Sequence, residues 1–205
     1  MSGTDREWIS VPKRGGKAKS SAKLERSGNH SSKLDGSGNV AAAQVVIILV
    51  GLPGSGKSWF ASQLQRGNSR FVRINQDTLG TRKKCEDSCR QALSRGSSVV
   101  IDRCNFDSSQ RQHWVDIAKQ FGLPCHCIVF NYNKEECIRR CNERVGHETI
   151  NYGNAAMVVK GMTKKFRPPL PHSGQYQRHI TITSFRQANE VVQSYLDRGS
   201  GSSES

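Results

Sequence analysis

The chain has no long apolar run: the longest, Val45 to Val50, is strand-sized, far short of the roughly 20 residues that a membrane-spanning helix needs. A helical membrane protein is therefore excluded. Aromatic residues make up only 7% and hydrophobic residues 35% of the 205 residues, and the mean hydropathy is −0.62. These values are low for a chain that is compact throughout, and they predict that part of the length stays outside the core. Acidic residues are also scarce, with 17 Asp plus Glu against 31 Lys plus Arg and a formal charge of +14. That imbalance disfavours a cationic partner and suits a polyanion. The opening MSGTDREWIS has no apolar h-region and no Gly at position 2, which predicts neither a secretory signal nor a myristoyl anchor. The expected compartment is reducing, nuclear or cytoplasmic.

Paired CxxC spacing is missing too, although there are seven cysteines. Their odd number and a reducing compartment argue against a disulfide framework. Cys85 and Cys89, like Cys137 and Cys141, are four apart and share a helix face, while Cys125 and Cys127 share a strand face. A zinc ligand set can be drawn from these with His126, but the spacing fits six small buried hydrophobes better.

What is present divides into three stretches. Residues 1–43 are rich in Ser, Gly, Lys and Arg, with eight basic and four acidic residues, and are expected to be a disordered basic tail. Such a tail serves as an electrostatic arm for nucleic acid, as a nuclear address around Lys13, Arg14, Lys17 and Lys19, or as a solvated linker. Residues 199–205 read as a short disordered C-terminus. Residues 44–198 are expected to form one domain in which strand and helix patterns alternate. Strands are predicted at 45–50, 71–75, 98–102, 125–130 and 178–183, and helices at 57–65, 81–95, 107–121, 134–144, 155–166 and 185–196. Alternation of this kind implies an α/β fold with a central five-stranded parallel sheet flanked by helices.

The chemistry is concentrated after the first strand. Gly51, Leu52, Pro53, Gly54, Ser55, Gly56, Lys57 and Ser58 match GxxxxGK[ST] in full, between a buried strand and a helix. Glycines let successive N–H groups point at phosphates, and the helix N-terminus adds positive potential. Gly51, Pro53, Gly54, Ser55, Gly56, Lys57 and Ser58 are thus the candidate nucleotide cradle, Lys57 reaching the outer phosphates and Ser58 ligating magnesium. Ligands of open α/β sheets bind beyond the carboxyl ends of the strands, where two carboxylates stand. Asp102 ends strand three and suits a magnesium ligand; Asp77, after strand two, is left to act as the base. A phosphoryl-transfer site also needs cations on the moving group. Arg140 and Arg144, four apart on one helix, project from one face and suit a lid over the phosphates.

Taken together, VGLPGSGKSWF, INQDTLG, VVIDRCNFDSSQR, CIRRCNER and FRPPLP resemble the kinase domain of the polynucleotide 5'-hydroxyl kinase / 3'-phosphatase family over roughly residues 44 to 185. The resemblance implies a P-loop kinase with strand order 2-3-1-4-5 that uses ATP and Mg2+. It implies phosphate transfer to the 5'-hydroxyl of DNA or RNA, in nucleic-acid repair or processing. On it, Asp77 activates the acceptor hydroxyl, Lys57 and Ser58 hold ATP and magnesium, Arg140 and Arg144 are lid arginines, and Asn105 belongs to the loop after strand three on the acceptor side. Family members often carry Arg just before the base. Here Gln76 stands in that place, and Arg82, Lys83 and Lys84 are candidates to contact the acceptor strand instead. No DxDxT phosphatase signature and no HxHxH run occur, so kinase activity alone is expected. A small-molecule kinase of the same fold and a non-catalytic nucleotide- or nucleic-acid-binding module are the rival readings. The spread of positive charge disfavours the first, and the joint presence of Lys57, Ser58, Asp77 and Asp102 disfavours the second.

From residue 44 onward the chain still carries 23 basic and 13 acidic residues, so the field that attracts a polyanion survives truncation. Deleting residues 1–40 should leave turnover at saturating oligonucleotide nearly unchanged while raising the apparent Michaelis constant and flattening its salt dependence. Kinetics over a salt series check this; lost turnover at saturation would instead put the tail in the site.

Overall fold

The computed structural model describes residues 44–143 and 153–197. The expected tails, 1–43 and 199–205, and the candidate lid residue Arg144 lie outside the described residues. The strands are β1 (Val46–Gly51), β2 (Phe71–Asn75), β3 (Ser98–Asp102), β4 (Cys125–Phe130) and β5 (Arg178–Ile182). The helices are α1 (Lys57–Gly67), α2 (Gln76–Leu79), α3 (Arg82–Ser94), α4 (Ser108–Gln120), α5 (Lys134–Glu143), α6 (Ala155–Lys165) and α7 (Phe185–Leu196). Strand order is β2-β3-β1-β4-β5 with every neighbour parallel, the order implied by the resemblance.

β1 is buried along its whole length because it lies at the centre with helices over both faces, the setting in which strands are apolar at every position. Alternate residues then sort to two cores. Val46, Ile48 and Val50 pack with Cys85, Cys89, Leu93, Trp114 and Ile117 of α3 and α4. Val45, Ile47 and Leu49 pack with Phe60 and Leu64 of α1 and Val192 and Tyr195 of α7. Period 2 on the strand meets period 3.6 on each helix, and the two faces close separately. A third cluster, Cys137, Cys141, Ala155 and Val159, joins α5 to α6.

Cys85, Cys89, Cys125, Cys127, Cys137 and Cys141 are all buried thiols within these clusters. Burial pushes the thiols of Cys89, Cys125 and Cys127 up to about 12 and that of Cys137 to about 11, as expected of side chains used for packing. Helix starts also follow sequence chemistry: Asp107, Thr81 and Ser184 each accept a backbone N–H of their own first turn. The short helix α2 has no counterpart in the sequence pattern. Four residues show no period, and the turn is made by Asn75, whose side-chain oxygen accepts the Thr78 N–H at 3.2 Å. Among the described residues no helix is long and apolar enough to cross a membrane.

Candidate active site

The loop after β1 wraps on itself at the carboxyl end of the sheet. Gly54 and Gly56 take φ of +81° and +98°, a region side chains rarely enter, as suits a loop whose N–H groups are to face phosphates. Gly54 is also held from outside: a Cβ there would lie 2.3 Å from the Cys137 carbonyl oxygen and 2.8 Å from Cys141 Sγ. The Cys137 carbonyl and the Cys141 thiol of α5 are thus the wall against which the loop rests. Lys57 is 6% exposed. Its ammonium donates to the Leu52 carbonyl at 2.7 Å and to Ser55 Oγ at 3.3 Å, folded into the loop whose phosphate ligands would draw it outward.

Asp102, at the end of β3, is 5% exposed. Its Oδ1 accepts Ser58 Oγ at 3.2 Å, and its Oδ2 accepts Arg73 Nε at 2.8 Å, Arg73 Nη2, and Asn75 Nδ2 at 2.9 Å. The register explains this convergence, because Asn75 pairs directly with Asp102 across β2 and β3, and Arg73, two residues earlier, shares its face. Arg73 also donates to Ser62 Oγ at 3.3 Å. Sequence reasoning missed Arg73 and Asn75; the available signal was two polar residues on one face of an otherwise apolar strand, aimed at the strand that ends in Asp102.

A cavity of about 330 Å³ opens beside these groups, lined by Pro53, Gly54, Gly56, Lys57, Ser58, Gln76, Asp77, Asp102, Arg103, Cys104, Phe106, Gln110 and Met162. The structure therefore brings Asp77, exposed on α2, into the same space as the loop lysine and Asp102. Ser58 and Asp102 Oδ1 are the oxygen donors that fit a nucleotide-bound Mg2+. That ion keeps most of its water and phosphate ligands and asks one or two groups of the protein. Among the described residues no cluster of three or more His, Cys, Asp and Glu is placed to hold a metal by itself.

Two expectations are corrected, those for Asn105 and Arg140. Asn105 is fully buried with φ of +45°; its Nδ2 donates to the carbonyls of Leu49 (2.8 Å) and Arg103 (3.3 Å) and its Oδ1 accepts Trp114 Nε1 at 3.1 Å. With its amide engaged at both ends, Asn105 orders the loop and does not face an acceptor. Arg140 is 4% exposed, bonds Glu136 Oε1 at 2.5 Å and lies 4.5 Å over the Tyr132 ring, so it points into the α5 interface and does not line the cavity. Spacing by four assigns two residues to one helix face; it does not say which way the face turns. Arg82 and Lys83 sit on the exposed first turn of α3, paired with Glu86 (3.2 Å) and Asp87 (3.6 Å), outside the cavity. Trp114 is a core residue, whereas Phe106 lines the cavity.

A five-stranded parallel sheet with a glycine-rich phosphate loop, a buried strand-end carboxylate and an exposed carboxylate facing them defines a P-loop nucleotide-binding fold of the kinase type. The family model described as AAA domain (AAA_33) matches residues 46–169, and the chain belongs to that family. It is similar to the bifunctional polynucleotide phosphatase/kinase of Schizosaccharomyces pombe, 40% identical over 92 residues, 45% of this chain and 22% of that protein. It is also similar to Arabidopsis thaliana transcription factor bHLH140, 33% identical over 188 residues, 88% of this chain and 20% of that protein. The chain spans about a fifth of the length of these relatives. Among solved structures, a fungal RNA kinase superposes with a TM-score of 0.60 at 19% identity, over 76% of this chain and 43% of that one, a likeness of fold.

Two substitutions separate ligand contacts from scaffold. Lys57→Ala should abolish measurable ATP binding while leaving the unfolding midpoint nearly unchanged, because the ammonium faces the loop rather than the core; calorimetric titration and thermal melts check both. Asn105→Ala should do the reverse, lowering stability by roughly 2–4 kcal/mol through the carbonyl and indole N–H it leaves unsatisfied, as read from denaturant unfolding.

Proposed function

We propose that the chain is an ATP- and Mg2+-dependent polynucleotide 5'-hydroxyl kinase acting on DNA or RNA ends. The observation that carries this reading is the placement of Asp77. It is an exposed carboxylate on the acceptor side of the cavity that also contains Lys57, Ser58 and Asp102. Phosphoryl transfer needs in-line positioning of a hydroxyl, a group to take its proton, and cations on the transferred phosphoryl. The loop N–H groups and Lys57 bind and orient the donor phosphates. Ser58 and Asp102 Oδ1 would hold the Mg2+, which would supply neutralisation of the phosphate charge. Asp77 Oδ accepts the proton of the attacking hydroxyl, and Met162 of α6 with Phe106 screens the cavity from water.

A polymeric acceptor is supported by the formal charge of +14 and by the polynucleotide phosphatase/kinase relative. The exposed cations Arg82 and Lys83 at the start of α3 lie outside the cavity and are available to acceptor phosphates beyond the first residue.

The deciding experiment offers 5'-hydroxyl DNA and RNA oligonucleotides and, separately, nucleosides and sugars, with labelled ATP. Transfer to oligonucleotides is expected; transfer to small hydroxyl compounds alone would replace the reading by a metabolite kinase. Asp77→Asn should keep ATP affinity and lower turnover by roughly 100-fold or more, the scale of a lost general base. A fall in ATP affinity with turnover intact would make Asp77 a nucleotide or metal contact.

A further inference from the structure

Arg103 is the one cavity-lining cation without an assigned task. It follows Asp102 directly, and since Asp102 pairs with Asn75 in register, the next residues on each chain, Arg103 and Gln76, enter the cavity side by side with Asp77 adjacent. Its guanidinium lies 6.0 Å from the Trp114 ring centroid, at the outer limit of a cation–π contact. Its Nη1 is buried and has no hydrogen-bond partner. No ion pair joins it to a carboxylate among the described residues. Burial pulls its pKa below the usual guanidinium value, helped by the charge of Arg82, while the thiols of Cys85 and Cys104 and the Asp77 carboxylate pull the other way.

Arg103 is half-buried, and a guanidinium at a cavity wall with no carboxylate partner has N–H groups to offer an anion there. The contrast with Arg73 is direct, since Arg73 has both Asp102 and Ser62. The donor phosphates have their own cradle in the loop and Lys57. What Arg103 faces, across Gln76 and Asp77, is the space where the acceptor must lie.

We propose that Arg103 is the anion-recognition residue of the acceptor subsite, taking the phosphate nearest to the attacking hydroxyl and so selecting a phosphate-bearing acceptor over a neutral sugar or nucleoside. This rests on the kinase reading above and adds the feature by which the acceptor is recognised. The phosphate would accept from the guanidinium N–H groups that line the cavity, while Asp77, one side chain away, takes the hydroxyl proton. Phe106 supplies an apolar wall against which the sugar or base lies.

The test uses the full chain, its Arg103→Gln and Arg103→Lys variants, and two 5'-hydroxyl oligonucleotides that differ only in the first linkage, a natural phosphodiester or a neutral methylphosphonate. With the natural linkage, R103Q should raise the acceptor KM about tenfold or more, equivalent to about 1.4 kcal/mol. Its kcat should stay within about twofold and its ATP KM unchanged, and R103K should recover part of the loss. With the methylphosphonate, the wild type should already show the raised KM and the substitution should add nothing. The melting temperature of R103Q should stay close to that of the wild type, because no carboxylate loses its partner; a structural arginine would lower it.

Equal penalties from R103Q on both oligonucleotides, or a fall in kcat with acceptor KM unchanged, would overturn the proposal, the second by moving Arg103 to the transferred phosphoryl. Wild-type transfer that R103Q leaves unaltered overturns this inference alone. Absence of transfer from wild type to any 5'-hydroxyl oligonucleotide overturns the kinase reading and this one with it.

Discussion

Asp102 is the point at which fold and site are tied together. One buried carboxylate receives a hydroxyl from the first helix and three N–H groups from β2. A carboxylate at 5% exposure is several kcal/mol worse off than in water unless it is paired and hydrogen-bonded, and here the ladder register supplies the partners. Arg73 and Asn75 reach it only because β2 lies beside β3 with Asn75 opposite Asp102. A slip of one residue would turn both side chains to the other face and leave charges of both signs buried alone. The pairing of β2 with β3 is therefore specified electrostatically at its carboxyl end, where ligand binds, as well as by the apolar alternation along its length.

The phosphate loop depends on a second constraint, from the opposite side. Gly54 approaches the backbone of α5 so closely that a Cβ would overlap the Cys137 carbonyl, and the Cys141 thiol lies close behind it. Because α5 packs on α6 through Cys137, Cys141, Ala155 and Val159, and α6 brings Met162 to the cavity, the loop, the two helices and the cavity wall form one packed unit. Movement of α5 and α6 must be felt at Gly54, since close-packed interiors transmit displacement rather than absorb it.

The strands, the order of the elements and the phosphate loop were legible in the sequence because each rests on a local pattern. Continuous apolar runs mark strands buried on both faces, helix caps stand at 81, 107 and 184, and the loop's residue types are fixed by phosphate geometry. Side-chain direction was not legible. Asn105 occupies a loop next to the site, and only the structure shows its amide turned inward to Leu49 and Trp114. Arg140 shares a periodicity with other basic residues, yet its face is the one Tyr132 and Glu136 cover. Arg73 and Arg103 went unremarked because a cation within or just after a strand reads as solvent-facing, whereas here register turns one to Asp102 and the other into the cavity.

On the proposed kinase reading, the two carboxylates Asp102 and Asp77 divide their roles by environment. Asp102 has Oδ2 filled by three donors, two of them from the Arg73 guanidinium; only Oδ1, shared with Ser58, is left for a cation. Asp77 has no such guanidinium bound to it among the described residues. It stands exposed on a four-residue helix whose cap, Asn75, donates with Nδ2 to Asp102 and accepts the Thr78 N–H with Oδ1. Asn75 thereby fixes the separation between the carboxylate suited to metal and the carboxylate suited to the proton. Two acids placed in unlike surroundings take unlike tasks, and one asparagine amide, bonded at both ends, keeps those tasks at a fixed distance within a single cavity.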